Sequence, residues 1–153
     1  MTDMTLRAAR ADEDDERFLW EMLIEAMSWR PGSPRLTVAD ARANPHIARY
    51  VQGWGRSGDA GTIAELIGRP VGAAWWRFFT ADDHGYGFIA AEAPEVSIAV
   101  ADEHRGRGVG TALLTALVAR AGEQGLSALS LSVEFENPAL RLYERLGFTT
   151  VRR

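Results

Sequence analysis

Val71 to Phe79 is the segment that most narrows the folds open to this chain. It alternates as a strand does, yet both of its faces are apolar. Val71, Ala73, Trp75 and Phe79 share one face, and Ala74, Trp76 and Phe78 share the other. Successive strand side chains point to opposite sides of a sheet, so a strand that is apolar on both sides must be covered on both. That requires a central strand with a layer of helices on each face. A chain of 153 residues is long enough to build one such core. The expected fold is therefore α/β, one domain over residues 1–153, with a mixed central sheet and helices on both faces.

The rest of the chain supplies those layers in a regular order. Thr5 to Ala9 reads as a first strand. Asp12 and the acids through Glu16 suit a helix start, because carboxylates accept from first-turn N–H groups and complement the helix dipole. Phe18, Leu19, Met22, Leu23, Ala26 and Met27 then recur at spacings of three and four, as on an amphipathic helix. Pro31-Gly32-Ser33-Pro34 ends it. Thr37 with Asp40 opens a second helix, and Asn44-Pro45 restarts it with Ile47, Tyr50, Val51 and Trp54 inward. Thr62 to Ile67, a Gly68-Arg69 turn, and Val71 to Phe79 form a hairpin, followed by a polar loop from Thr80 to Pro94. Glu95 to Ala101 is a strand, and Val109 to Glu123 a helix with Val109, Leu113, Leu114, Leu117, Val118 and Ala121 inward. Ala128 to Val133 is a strand, Asn137-Pro138 starts a helix that Gly147 stops, and Phe148 to Arg152 is a final strand. The order is β-α-α-β-β-β-α-β-α-β.

Composition removes whole classes of chemistry. With no cysteine there is no thiolate nucleophile, disulfide or thiolate metal site. With no lysine there is no Walker P-loop and no Schiff base; all 17 basic residues are arginine. A net charge of -4 argues against nucleic acid as a partner. No apolar run approaches the ~18 residues of a membrane span, and the N-terminus has no secretory pattern, so a cytoplasmic protein with no membrane partner is expected. His46, His84 and His104 share no ligand spacing, and no metal is expected.

The chemistry concentrates where the strand from Glu95 runs into Asp102-Glu103-His104-Arg105-Gly106-Arg107-Gly108-Val109-Gly110-Thr111. A glycine-rich loop opening directly into a helix lets main chain approach a ligand and presents free N–H groups to an anion. Arg105 and Arg107 add charge on the same arc and favour a phosphate or pyrophosphate. The competing account is a turn built only for tight strand-to-helix packing. The dinucleotide pattern G-x-G-x-x-G fails at Thr111. What remains, R-x-x-G-x-G from Arg105 to Gly110, resembles the signature of the GNAT superfamily of acetyl-CoA-dependent N-acetyltransferases. A second stretch, Asn137-Pro138-Ala139-Leu140-Arg141-Leu142-Tyr143-Glu144-Arg145-Leu146-Gly147-Phe148, resembles that family's N-x-x-A-x-x-L-Y-x-x-x-G-F helix. The Asn-to-Tyr spacing is one residue shorter than the commoner one, whereas Tyr143 keeps its offset to Gly147-Phe148.

The resemblance implies a GNAT-like fold, acetyl-CoA as co-substrate, and direct acetyl transfer to a primary amine of a small molecule or peptide in a ternary complex. It implies that Arg105, Gly106, Arg107, Gly108, Val109, Gly110 and Thr111 hold the coenzyme A pyrophosphate, and that Ile98, Ala99 and Val100 lend main-chain groups to the pantetheine arm, with Asn137 nearby. Val100 N–H, or a neighbour, would serve the oxyanion. A slot for the thioester would follow if strands 95–101 and 128–133 splay apart. Tyr143, a phenol of reference pKa ≈ 10, could protonate the departing thiolate; alternatively it packs beside Leu140, Leu142 and Leu146. A base must free the amine of its proton. Glu95 is the best placed, with Glu65 and Glu92 as competitors and a solvated strand end as the plain alternative. Trp29, Asp83 and Tyr86 lie in segments that border the acceptor site in the family, and a polar surface loop would equally account for them. Family chains usually continue past the strand at Phe148, so the sheet edge is either open or covered by a second copy, and a homodimer is expected. The alternative to an enzyme is a non-catalytic acyl-CoA-binding or regulatory module on the same fold.

Overall fold

The computed structural model describes residues 4–134 and 136–151. Within them β1 (Met4–Ala8), β2 (Ala60–Leu66), β3 (Arg69–Arg77) and β4 (Glu95–Val100) form a sheet in the order β1-β2-β3-β4, each antiparallel to its neighbour. β3 is an interior strand, as its two apolar faces require. Trp75 and Ala73 join Ile63 and Ala99 in one cluster, while Ala74 and Trp76 join Ala64 and Val96 in the other. The first cluster is closed by α1 (Glu13–Met27), α2 (Val38–Ala43) and α3 (Pro45–Ala48), the second by α4 (Val109–Glu123) and Tyr143 of α5 (Ala139–Arg145).

Local chemistry sets the helix starts. Asp12 accepts from the Asp15 N–H at 2.8 Å ahead of four acids in the first turn of α1. Thr37 and Asp40 form a reciprocal capping box on α2, and Asn44 caps α3 with Pro45 in its first turn. Gly108, at φ 81°, is the N-cap of α4. Within α4, Leu113, Leu114 and Leu117 are fully buried, but Val118 is 38% exposed rather than inward.

Several expectations are corrected. α3 is only one turn long, and the chain to Gly55 continues in turns that still bury Tyr50, Val51 and Trp54. The buried Arg77 guanidinium explains this, since it takes the carbonyls of Arg49, Gln52 and Gly53 that a longer helix would have used internally. The hairpin turns at Ile67-Gly68, not Gly68-Arg69, with Leu66 opposite Arg69 and both turn residues at positive φ. The segment 128–133 makes a single parallel bridge, Glu95 to Ser130, instead of a strand. Residues 148–151 form no strand, and Arg152 lies outside the described residues. Apolar alternation marks which face of a segment is inward, but a strand also needs a main-chain partner along its length. Among the described residues no helix is long and apolar enough to cross a membrane.

Candidate active site

β4 is an edge strand, and the segment after α4 touches it at one point. Val96 N donates to Ser130 O at 2.7 Å, and Ser130 N donates to Pro94 O at 3.1 Å. Beyond that bridge the two segments part into a wedge. Main-chain polar groups alternate sides along a strand, so Ile98 and Val100 follow Val96 in turning theirs away from β3 and into the wedge. A cleft of about 670 Å³ occupies it. Ile98, Ala99 and Val100 form one wall, Leu131 to Glu134 with Asn137, Leu142 and Tyr143 the other, and the end of α1 around Trp29 the rim.

Glu95 sits at the closed apex, 3% exposed. Its Oε2 accepts from the Tyr50 hydroxyl and from Gly87 N, both at 2.9 Å, while Oε1 has no hydrogen-bond partner among the described residues. Burial pushes the Glu95 carboxyl above its ordinary value, and the Gly87 N–H, the Tyr50 hydroxyl and His84 hold against that rise. The Tyr50 phenol is pushed up as well, first by burial and then by the carboxylate beside it. A buried carboxyl held above its ordinary value in a cleft is suited to exchanging a proton. Of the competing carboxylates, Glu65 lies on β2, two strands from β4, and is bound to Arg7 at 2.9 Å, and Glu92 is exposed; neither lines the cleft.

At the open end lies the glycine loop. A short 3-10 turn, Asp102–His104, leads into it, and Gly106 and Gly108 both take left-handed φ, 77° and 81°. Left-handed residues between right-handed or extended ones turn successive N–H groups toward a common centre, a geometry that, beside a helix N-terminus, suits an anion. A Cβ at Gly110 would meet Leu142 at an ordinary contact distance of 3.4 Å. Val109 is buried in the core, so only its main chain is available, and Thr111 is exposed. Arg105 is engaged within the protein: it donates to Glu25 at 2.9 Å, Asp102 at 3.1 Å and the Val100 carbonyl at 3.1 Å. The exposed Arg107 has no ion-pair partner among the described residues.

Tyr143 is 7% exposed, lines the cleft, and stacks edge-on against Phe148 with centroids 6.2 Å apart. Burial pushes its phenol up to about 12, which keeps the proton on it at neutral pH. Asn137 lines the cleft and also serves the helix, its side chain accepting from Ala139 N at 3.0 Å. Of the acceptor-side residues, Trp29 and Tyr86 line the cleft. Asp83 does not: it is exposed, hydrogen-bonded to Thr80 through main chain and 3.4 Å from Arg49. The structure adds three residues that no sequence pattern singles out. Glu25 fixes Arg105, Ser130 places a buried hydroxyl without a partner beside Glu95, and Tyr50 binds Glu95. Tyr50 belongs to an apolar stripe in the sequence, and nothing local shows that its hydroxyl meets a residue 45 positions later.

Among the described residues no group of three or more His, Asp or Glu side chains is placed to hold a metal ion.

Solved structures share the fold. A GCN5-related N-acetyltransferase from Ralstonia eutropha JMP134 superposes with a TM-score of 0.72 at 22% identity, over 98% of this chain and 95% of that one. An aminoglycoside N-acetyltransferase in complex with CoA superposes with a TM-score of 0.62 at 20% identity, over 100% of this chain and 92% of its own. In sequence, a mycothiol acetyltransferase of Arthrobacter sp. (strain FB24) is 30% identical over 148 residues, which is 96% of this chain and 43% of that protein. The chain spans 24% to 43% of the length of the curated relatives it matches. The model of the acetyltransferase (GNAT) family matches residues 12–148, a span holding the wedge, the glycine loop and the tyrosine helix together, and the chain belongs to that family.

Proposed function

We propose that this chain is an N-acetyltransferase that moves the acetyl group of acetyl-CoA directly to a primary amine of a small molecule or peptide, and that residues 1–153 act as one domain. The observation that carries the reading is the wedge itself. It has the main chain of Ile98 and the N–H of Val100 on one wall, a tyrosine on the other, a buried carboxyl at the apex and a glycine loop suited to an anion at the mouth.

The loop suits a pyrophosphate: it combines two left-handed glycines, a helix N-terminus and the exposed Arg107, which has no ion-pair partner among the described residues. The Arg105 guanidinium braces this loop against α1 rather than reaching outward. Bound there, acetyl-CoA would supply an acetyl group already activated as a thioester. Ile98 and Val100 would align the arm by main-chain hydrogen bonds, and Val100 N–H would meet the developing negative oxygen. Glu95 would take a proton from the acceptor's ammonium group, and Tyr143 would give its phenolic proton to the leaving sulfur. The acceptor would enter past Trp29 and Tyr86.

The test combines ligand-induced melting shifts with turnover on an amine panel of amino acids, polyamines, aminoglycosides and peptide N-termini. Acetyl-CoA at submillimolar concentration should raise Tm, and ATP or NAD should not. Tyr143→Phe should lower kcat by about 10²-fold with acetyl-CoA affinity nearly unchanged, and Glu95→Gln should flatten the alkaline rise of the pH–rate profile. Equal stabilisation by ATP would overturn the cofactor assignment. Weaker binding with normal turnover would make Tyr143 a packing residue.

A further inference from the structure

Tyr50 is the residue on which the apex of the wedge converges. Its hydroxyl donates to Glu95 Oε2 at 2.9 Å and accepts from Tyr86 N at 2.8 Å, while Gly87 N reaches the same Oε2 at 2.9 Å. One carboxylate oxygen therefore carries two donors and the other carries none. Gly85 to Gly87 lies directly on this pair. A Cβ at Gly85 would come within 2.3 Å of the Tyr50 hydroxyl and 2.6 Å of Glu95 Oε2, and one at Gly87 within 2.5 Å of the Leu131 main chain. At positions 85 and 87 of this strap, therefore, only glycine fits. Ser130 Oγ, also buried without a partner, belongs to the residue bridged to Glu95. Bridged residues of parallel segments direct their side chains to the same face, so the two unpartnered oxygens share one side of the sheet.

Donors on a carboxylate oxygen drain its basicity, and the bare oxygen is the better proton acceptor. We propose that Tyr50 is a positioning residue of the transfer reaction: by holding Glu95 Oε2 beneath the Gly85–Gly87 strap, it makes Oε1 the atom that receives the acceptor's proton. The inference rests on Glu95 being the base. In the step, the ammonium N–H bond breaks and an O–H bond forms at Oε1. Its electron pair stays on nitrogen as the nucleophilic lone pair, and the carboxylate becomes a neutral carboxyl. The groups facing Glu95 are Tyr50 from the turn after α3, His84 from the loop before β4, Ser130, and Arg77 opposite it on β3, while Tyr86 lies against Tyr50. Arg77 is already matched by Asp59 at 2.9 Å, so the Gly87 N–H and the Tyr50 hydroxyl are the chief donors on the carboxylate, with His84 and the Gly85 N–H adding to them.

The test is Tyr50→Phe, alone and with Glu95→Gln, using one acceptor throughout. Phe keeps the ring that packs edge-on against Phe79 at 6.0 Å and removes only the hydroxyl. The carbon-13 resonance of the Glu95 carboxyl is titrated without acceptor, and kcat and KM are measured across pH. Loss of one charge-assisted donor should move the Glu95 midpoint and the acid limb of kcat about one unit toward alkaline pH. It should lower kcat about tenfold at neutral pH and leave KM for acetyl-CoA unchanged. In the Glu95→Gln background the same change should cost nothing further. A Glu95-dependent profile that Tyr50→Phe leaves unmoved, or losses that multiply in the double variant, would overturn the positioning role alone. A profile that Glu95→Gln leaves unchanged would fail the base assignment, and this proposal with it.

Discussion

Replacing Arg77 by methionine probes the restraint on which the apex of the cleft depends. Arg77 is 1% exposed and makes five hydrogen bonds: two to the Asp59 carboxylate and three to the carbonyls of Arg49, Gln52 and Gly53. Methionine fills much of the volume but donates nothing. The three carbonyls lose their donor, and the Asp59 carboxylate, 2% exposed, keeps only the N–H groups of Gly55 and Arg56 and a longer contact with the Arg56 side chain. Removing one partner of a buried pair costs about 3–5 kcal/mol, because the other charge stays buried. At roughly 2–4 °C per kcal/mol for a chain of this size, Tm should fall by about 10 °C. Urea unfolding should show the same loss as a shift in midpoint at constant slope. Adding Asp59→Asn removes the stranded charge while keeping an acceptor for Gly55 and Arg56, so the double variant should recover about 2 kcal/mol. A loss below about 1 kcal/mol, or no recovery in the double variant, would show that the chain from Arg49 to Gly53 is held by apolar packing alone.

Two further outcomes follow from local chemistry. Ile67 sits at φ 50° in the hairpin turn and is 80% exposed, so Ile67→Asn should relieve about 1 kcal/mol of left-handed strain and raise Tm by roughly 2–4 °C; an unchanged or lower Tm would contradict that strain. Asp15 accepts from Arg7 through both oxygens at 2.8 Å and from Arg10 N at 2.7 Å, and the Arg7 hydrogen bonds hold its carboxyl below its ordinary value. A depressed pKa contributes stability that is complete above the ordinary carboxylate range and is lost as pH falls through the folded value. The gap between wild type and Asp15→Asn, about 2 kcal/mol at pH 7, should therefore close as unfolding is followed below about pH 4; a gap independent of pH would refute the ionic origin.

The structure also explains why the expected strands at the C-terminal side did not form as such. Leu129, Leu131 and Val133 do turn toward the α4 cluster, as their alternation implies. Their main chain meets β4 only at Ser130, and the divergence that costs the strand its partner is what creates the cleft. Likewise the stripe Ile47, Tyr50, Val51 and Trp54 reads as one continuous helix. The helix nevertheless ends after one turn, because a guanidinium from β3 takes its carbonyls. Asp83 shows the reverse case. Its position before β4 suggested the acceptor site, and the loop turns it outward to Arg49.

The sequence by itself determined whatever depends on neighbours a few residues apart. The apolar faces of β3 determined the two-sided layering, the caps determined where α1 to α3 begin, and the run from Arg105 to Gly110 determined a loop opening into a helix. Each of these is encoded by main-chain geometry and short-range spacing. Tertiary structure decided what long-range contacts decide. It fixed Tyr50 on Glu95 across 45 positions and drew Arg105 back onto Glu25 across 80. It also left one oxygen of a buried carboxylate bare. A side chain's hydrogen-bond partner depends on where folding brings distant segments to rest, and no local pattern in the sequence records it.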